Sequence, residues 1–254
     1  MTGSGHENRI DLIPGFHGVR AILEHDPVHL AEIWISRGRR AGRTGEIVLL
    51  AGKRGVPVLY KTRDILDQIL PGVAHQGIVA LSREFGYVNL GDLITGSRKM
   101  DRHGLLIAAD HITDEGNLGA VIRTCVFFGV HGLIIPKDRS AAITRNVIKR
   151  SSGAYVHLPV ARVVNLSRAL DTLDQEGFWI VGAAGDGDET LYGFDWRGDI
   201  VLVIGNEDRG LGREVRKRCH RLIRIPPSGY IEALNVSVAC GIILSEIVRQ
   251  RTFM

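Results

Sequence analysis

The stretch LLIAADHITDEGNLGAVIRTC, running from Leu105 to Cys125, decides the fold of most of the chain. Its first five residues, Leu105–Ala109, are apolar without alternation, as a strand buried on both faces requires. A polar turn follows. Leu118, Val121, Ile122 and Cys125 then recur at the i, i+3, i+4, i+7 spacing of one helix face. Strand, turn and amphipathic helix in that order make a βα unit, and the pattern returns downstream. Apolar runs at Leu133–Ile135, Val156–Val160, Phe178–Ala183, Ile200–Ile204 and Leu222–Ile225 read as further buried strands. Helical stretches fall between them, such as the one carrying Leu166, Leu170 and Leu173 before a stop at Gly177. Residues 103–254 are therefore expected to form an α/β domain around a mostly parallel sheet.

Upstream, Gly18–Glu24, Glu46–Lys53 and Arg63–Leu70 have helical patterns, and Glu32–Ser36, Val56–Tyr60 and Ile78–Ser82 are strand-like. Residues 12–82 suffice for a small α/β domain of their own, preceded by a flexible lead at 1–11. Residues 83–102 are polar, carry three glycines and lack a long periodic run, so they read as a linker. There are no internal repeats and no low-complexity tract.

Composition narrows the functional class. The chain is 44% hydrophobic and 24% charged, ordinary for a soluble globular protein. No run approaches the roughly 18 apolar residues of a membrane span. The first residues lack the basic-then-apolar layout of a secretory signal, which makes the cytoplasm the expected location and a membrane no partner. Cys125, Cys219 and Cys240 are widely separated, against a disulfide framework or a zinc ribbon, and the histidines show no ligand spacing. No metal is expected. The net charge of +4 leans towards a polyanionic partner, and its distribution leans further. Arg37, Arg39, Arg40 and Arg43 cluster, as do Arg145, Lys149 and Arg150, and again Arg213, Arg216, Lys217, Arg218 and Arg221. Any one cluster reads equally well as solvated surface; three of them favour RNA phosphate contacts.

In open parallel sheets, ligands bind beyond the carboxyl ends of the strands, so the turns there are the places to search. Three combine glycine with polar residues that a plain connector does not need. In the first, Asp110 to Thr124, Asn117 is placed to cap the following helix, and Arg123 lies off its apolar stripe. The second, Ile204 to Gly212, has three glycines in eight residues but neither a P-loop nor the Rossmann spacing. That argues against a nucleotide-dependent dehydrogenase. The third, Ile225 to Gly241, opens on two prolines and sets Asn235 and Ser237 at the mouth of a long apolar helix. A further glycine loop, Gly182 to Gly187, follows the fourth strand of its domain, whereas the glycine-rich loop of a Rossmann fold follows the first.

Taken together, the three turns resemble the signature motifs of the SpoU (TrmH-like) branch of the SPOUT methyltransferases. The first is similar to N-x-G-x-x-x-R-T/S at Asn117, Gly119, Arg123 and Thr124. The second is similar to G-x-E-x-x-G-L at Gly205, Glu207, Gly210 and Leu211. The third is similar to I-P-x-x-G and S-L-N-V-S-V-A at Ile225, Pro226, Gly229 and Leu234–Ala239. The chain departs from the pattern at Ala233, where serine is common, and at Pro227, where methionine is common. Phe16–Val19, His75–Gly77 and Pro136–Ala141 resemble the subgroup that methylates a guanosine of large-subunit (23S) rRNA.

The resemblance implies transfer of a methyl group from S-adenosylmethionine (SAM) to a ribose 2′-hydroxyl of rRNA. It also implies a deep trefoil knot in the second domain and a ribosomal-protein-like RNA-binding module in the first. On the same basis Asn117, Arg123, Glu207 and Asn235 are the expected catalytic residues, with Arg123 oriented by the other three. Ala183, Gly205, Ile225 and Leu234 are expected to bind SAM, and Arg37, Arg39, Arg40, Arg43 and Arg145 to bind RNA. Two other readings stay open: a tRNA 2′-O-methyltransferase, and a non-catalytic RNA-binding or ribosome-assembly protein that retains the fold. Finally, Val236, Val238, Ala239, Ile242, Ile243, Leu244, Ile247 and Val248 make the helix after Asn235 apolar around most of its circumference. One sheet face covers one stripe, so a homodimer through this domain is expected, unless the first-motif helix or the N-terminal domain covers the rest.

Overall fold

The computed structural model describes residues 12–25, 27, 30–38, 42–82, 85–98, 103–230 and 233–253, of which the side chains of His25 and Arg145 are left aside. The chain divides into two compact units, residues 1–86 and 87–254.

The first unit holds a four-stranded mixed sheet in the order β1-β4-β2-β3, from β1 (Leu12–Pro14), β2 (Leu30–Ser36), β3 (Val58–Lys61) and β4 (Ile78–Ser82). Strand β4 runs antiparallel to both neighbours, and β2 and β3 are parallel. Helices α1 (Phe16–His25), α2 (Arg43–Arg54) and α3 (Arg63–Ile69) flank it. Alternation along β2 explains the layering: Ile33 and Ile35 enter a core with Val19, Leu23, Ile47 and Ala51, while Trp34 joins Leu66 and Val79 in a second cluster. The three residues of β1 are too few to show a period, so pattern alone does not reveal that strand.

The second unit is built on seven strands in the order β7-β6-β5-β10-β8-β11-β9. They are β5 (Leu105–Ala109), β6 (Gly132–Pro136), β7 (Val160–Val163), β8 (Trp179–Ala183), β9 (Glu189–Thr190), β10 (Ile200–Ile204) and β11 (Arg221–Arg224), all paired in parallel. Every residue of β5, β6 and β10 is buried, which is why their sequences do not alternate. The helices are α4 (Leu90–Ser97), α5 (Glu115–Phe127), α6 (Arg145–Arg150), α7 (Leu166–Gln175), α8 (Arg213–Arg216) and α9 (Val236–Phe253). As its spacing requires, α7 buries Leu166, Leu170 and Leu173, and Gly177 beyond it takes a left-handed φ of 87°.

Three expectations change. The stretch 83–102 is more than a linker, because its described part contains α4. Asn89 caps that helix, Leu93 and Ile94 enter the core beside Leu106 and Ile134, and Val88 bridges to Ala161. Polar flanks mask the Leu90, Leu93, Ile94 stripe in sequence. The run Val156–Val160 is not one strand: Ala154–His157 form a turn of 3-10 helix after left-handed Gly153, and β7 begins only at Val160, after Pro159. Asn117 is not the cap of α5. Asp114 is, its carboxylate accepting the Asn117 backbone N–H at 2.7 Å.

The last helix also ties down the far end of the unit. Half-buried Arg251 donates to the carbonyls of Trp196 (3.0 Å), Gly198 (2.7 Å), His103 (2.8 Å) and Gly104 (3.2 Å). Beside it, Gln250 accepts the backbone N–H of buried Trp196 and donates to the Phe194 carbonyl. Buried polar groups need such partners, and here one helix end supplies them to two separate loops.

Candidate active site

The loop after β10 folds back on itself through paired bonds between Asn206 and Gly210, with Gly210 at a φ of 63°. A Cβ on Gly205 would lie 2.4 Å from the Gly210 carbonyl carbon, so this closure admits only glycine there. Asp110, 1% exposed, staples the loop to the first turn by accepting the Gly212 N–H at 2.6 Å. Its other carboxylate oxygen lies 2.5 Å from His111 Nδ1, and Asn206 Nδ2 donates to the His111 carbonyl at 3.0 Å. The sequence shows Asp110 but not this role, because its partner is a backbone N–H 102 residues away.

Capping by Asp114 releases the Asn117 side chain for other work. Asn117 Nδ2 donates to Glu207 Oε1 at 2.5 Å, and Asn117 Oδ1 accepts Asn235 Nδ2 at 2.9 Å. Asn235 Oδ1 in turn accepts the Ser237 backbone N–H at 2.9 Å and its hydroxyl at 2.6 Å. An ionised carboxylate only accepts, so Glu207 fixes which way each amide of this relay faces. The first turn thus meets two others, 90 and 118 residues further along the chain, in one hydrogen-bonded line. Asn235 also serves as a cap at the start of α9, so its local and its long-range readings hold together.

Alongside the relay lies a cavity of about 630 Å³ at the carboxyl ends of β8, β10 and β11. Ala183, Gly205, Ile225 and Leu234, expected to bind SAM, all stand on its wall, and Glu207 lies at its edge. Ile223, Val236 and Ile243 make much of the remainder apolar. Among the described residues, the lining contains one carboxylate and neither lysine nor arginine. A cofactor with phosphates would meet no counter-charge here, whereas an adenosyl group bearing a cationic sulfonium suits both the apolar wall and the carboxylate. The residues present fit SAM. Among the described residues no group of histidine, cysteine or acidic side chains could hold a metal ion.

Arg123 stands apart. It lies six residues beyond Asn117, about one and two-thirds helical turns, and so faces a different side of α5. It is exposed, and its Nη1 reaches Ser152 Oγ at 3.5 Å rather than any member of the relay. The structure therefore joins Asn117, Glu207 and Asn235 and leaves Arg123 outside them. Of the expected RNA-binding residues, Arg37 and Arg43 are exposed, with Arg43 over the Phe16 ring at 5.5 Å. Arg39 and Arg40 fall outside the described residues, as does the side chain of Arg145.

Residues 104–245 match the SpoU rRNA methylase family, and residues 12–88 match the RNA 2′-O ribose methyltransferase substrate-binding family. The chain belongs to the SpoU rRNA methylase family. A member from Pseudomonas aeruginosa, the 23S rRNA (guanosine-2′-O-)-methyltransferase RlmB, is 42% identical, covering 94% of this chain and 96% of its own. The RlmB of Escherichia coli is 41% identical, with coverages of 95% and 99%. Among solved SpoU structures, AviRb from Streptomyces viridochromogenes, in complex with AdoMet (that is, SAM), superposes with a TM-score of 0.67 at 25% identity, covering 97% of this chain and 94% of that one. An AdoMet-bound rRNA methyltransferase from Sinorhizobium meliloti shares the fold, with a TM-score of 0.67 at 23% identity and coverages of 98% and 90%.

Proposed function

We propose that this chain transfers a methyl group from SAM to the ribose 2′-hydroxyl of a guanosine in 23S rRNA. The observation that carries the reading is the cavity, lined by neither lysine nor arginine among the described residues, with the Glu207–Asn117–Asn235 relay at its edge. The names of its relatives supply the RNA and the base. When bound, SAM supplies an electrophilic methyl on a positively charged sulfur. Ala183, Gly205, Ile225 and Leu234 hold it, and the Glu207 carboxylate complements its charge. The relay positions the ribose, which matters because alignment alone lowers such barriers by several kcal/mol. A ribose hydroxyl is a poor nucleophile, so charge developing on its oxygen needs a stabilising partner. Arg123 fills that role electrostatically, since a guanidinium is a donor without an acceptor and a poor base.

The test is methyl transfer from tritiated SAM to unmodified 23S rRNA, followed by mapping of the labelled nucleotide. Label on one guanosine ribose is expected. Label on tRNA alone would favour a tRNA enzyme, and SAM binding without transfer a non-catalytic assembly factor.

We infer further that the working form is a homodimer built on the second unit, with residues 12–82 as the RNA substrate-binding domain and the cytoplasm as the location. Helix α5 packs on α9 and covers one of its faces, as the single-chain alternative requires. An apolar strip nevertheless stays open beside a groove lined by Phe128, Val238 and Ile242. Phe127 is 80% exposed, Tyr192 62% and Val238 49%. Such strips mark interfaces, and two-fold pairing is the commonest way to bury one. A dimer also serves the chemistry, because Arg123 faces away from its own chain's relay and towards solvent, where a second copy can meet it. Light scattering decides the matter: a monomer mass at micromolar concentration with full activity overturns the dimer. Among the described residues no helix is long and apolar enough to cross a membrane.

A further inference from the structure

The basic clusters of the second unit look alike in sequence and differ in their partners. Around α8 four of the five cations meet an acid, with Arg213 the exception among the described residues: Arg216 with Asp186 at 2.8 Å, Lys217 with Glu214 at 2.8 Å, Arg218 with Asp171 at 2.8 Å and Arg221 with Glu189 at 3.9 Å. Among the described side chains, the cations of α5, of α6 and of the turn after β6 are Arg123, Lys149, Arg150, Lys137 and Arg139. All five are exposed, and none has an acidic partner among the described residues. Two of the nearby acids are already engaged, Asp114 as the α5 cap and Glu115 in accepting the Thr144 hydroxyl at 2.9 Å; Asp138 is exposed.

The geometry holds this surface against the helix that carries Asn117 and Arg123. Helix α6, which ends in Lys149 and Arg150, crosses α5 so closely that a Cβ on Gly119 would lie 2.5 Å from the Arg150 Cβ and 3.0 Å from the Val147 carbonyl oxygen. The turn after β6 is fastened to the entry of α5: Ala141 donates its backbone N–H to the Ile112 carbonyl at 2.8 Å, and Ser140 Oγ donates to the same oxygen at 3.2 Å. At the tip of that turn Arg139 takes a φ of 54°, a left-handed conformation that disfavours a residue with a Cβ. Glycine would sit there without strain, and an arginine held there points to a use for its side chain.

We propose that this face, centred on Arg139, is where the catalytic unit grips the phosphates of its RNA substrate beyond the target nucleotide. The proposal rests on the RNA reading above and adds a surface to it. Unpaired, solvated cations release phosphate counterions on binding, whereas cations already neutralised by acids contribute little. Because the turn is bonded to the entry of α5, a phosphate held by Arg139 is registered against the residues that position the ribose.

The experiment compares the full-length protein with Arg139→Ala, Arg139→Lys and Lys217→Ala. It measures binding of an unmodified 23S rRNA transcript across a salt series, together with methyl transfer and SAM affinity. Arg139→Ala should reduce the slope of log affinity against log salt by about one. It should also raise KM for RNA roughly tenfold, the scale of one lost phosphate contact, while kcat and SAM affinity stay within about twofold. Arg139→Lys should restore the slope, and Lys217→Ala should leave it unchanged. An unchanged slope and KM in Arg139→Ala overturns the surface even if rRNA is methylated. A reduced slope in a protein that methylates no ribose overturns the enzymatic reading and leaves the surface standing. A wild-type protein that binds no rRNA overturns both.

Discussion

Asn117 and Arg123 sit on one helix and belong to one motif, yet the structure treats them in opposite ways. Asn117 is locked by side-chain bonds to Glu207 and Asn235, contributed by two other segments of the chain. Arg123 is exposed, with a single long bond to Ser152. A residue built into a relay has its geometry set before substrate arrives. A residue left free in solvent has its partner still to come. The contrast divides the motif into a part that assembles the cavity edge and a part that acts outward, and each part fails differently when altered.

The largest effect is expected at Arg123. Arg123→Ala should lower methyl transfer by at least about a thousandfold, the upper range for losing one group that stabilises developing charge. SAM affinity, read by calorimetry, should remain within a few-fold of wild type, and near-normal turnover would remove Arg123 from the chemistry. Asn117→Ala should cost less in rate but more in binding. It leaves Glu207 and Asn235 without their shared partner, a loss of about 1–3 kcal/mol, or roughly 5- to 150-fold in SAM affinity and transfer together. If Asn117→Ala spared SAM binding, the two residues would not differ as described.

Gly119 lies between them, where α5 meets α6. Gly119→Ala should destabilise the fold by about 1–2 kcal/mol in chemical denaturation, as overpacking against backbone outweighs the gain in helix propensity. Unaltered stability would mean that the crossing is looser than drawn. The smallest effect is expected from Ala233→Ser, which restores the hydroxyl common in the family at an exposed position on the cavity rim. Its effect should stay within about 0.5 kcal/mol, or roughly twofold, because Ser237 already supplies a hydroxyl to Asn235. A large rise in kcat would show that the relay lacks a group it needs.

Much of the second unit was legible because its strands are buried on both faces. Leu105–Ala109 and Ile200–Ile204 could be bounded to the residue from apolar content alone. Legibility failed where local signals competed. Gly153 and Pro159 break up the Val156–Val160 run, and α4 hides its stripe among glycines and polar residues. Asn117 looked like a cap because a polar residue before an apolar stripe usually is one, but Asp114 takes that position three residues earlier. The contacts among Asn117, Glu207 and Asn235 join positions about a hundred residues apart, and no period in a single chain encodes such distances. The residue types came from motif likeness, and their assembly came from the fold. The charge clusters teach the same lesson, since counting cations did not reveal which of them already had acids beside them.

Arg251 sets an order on the making of the protein. The first unit is complete in itself, and translation delivers it whole while most of the second unit is still unmade. The side-chain tie from the last helix to the carbonyls of His103, Gly104, Trp196 and Gly198 forms only after residue 251 has emerged, because Arg251 donates all of its bonds. Nascent chains arrested at residue 245 should thus show a protease-resistant N-terminal fragment attached to a digestible remainder, whereas released full-length chains should resist throughout. An RNA-binding module would then be ready on the ribosome well before the unit that completes the enzyme.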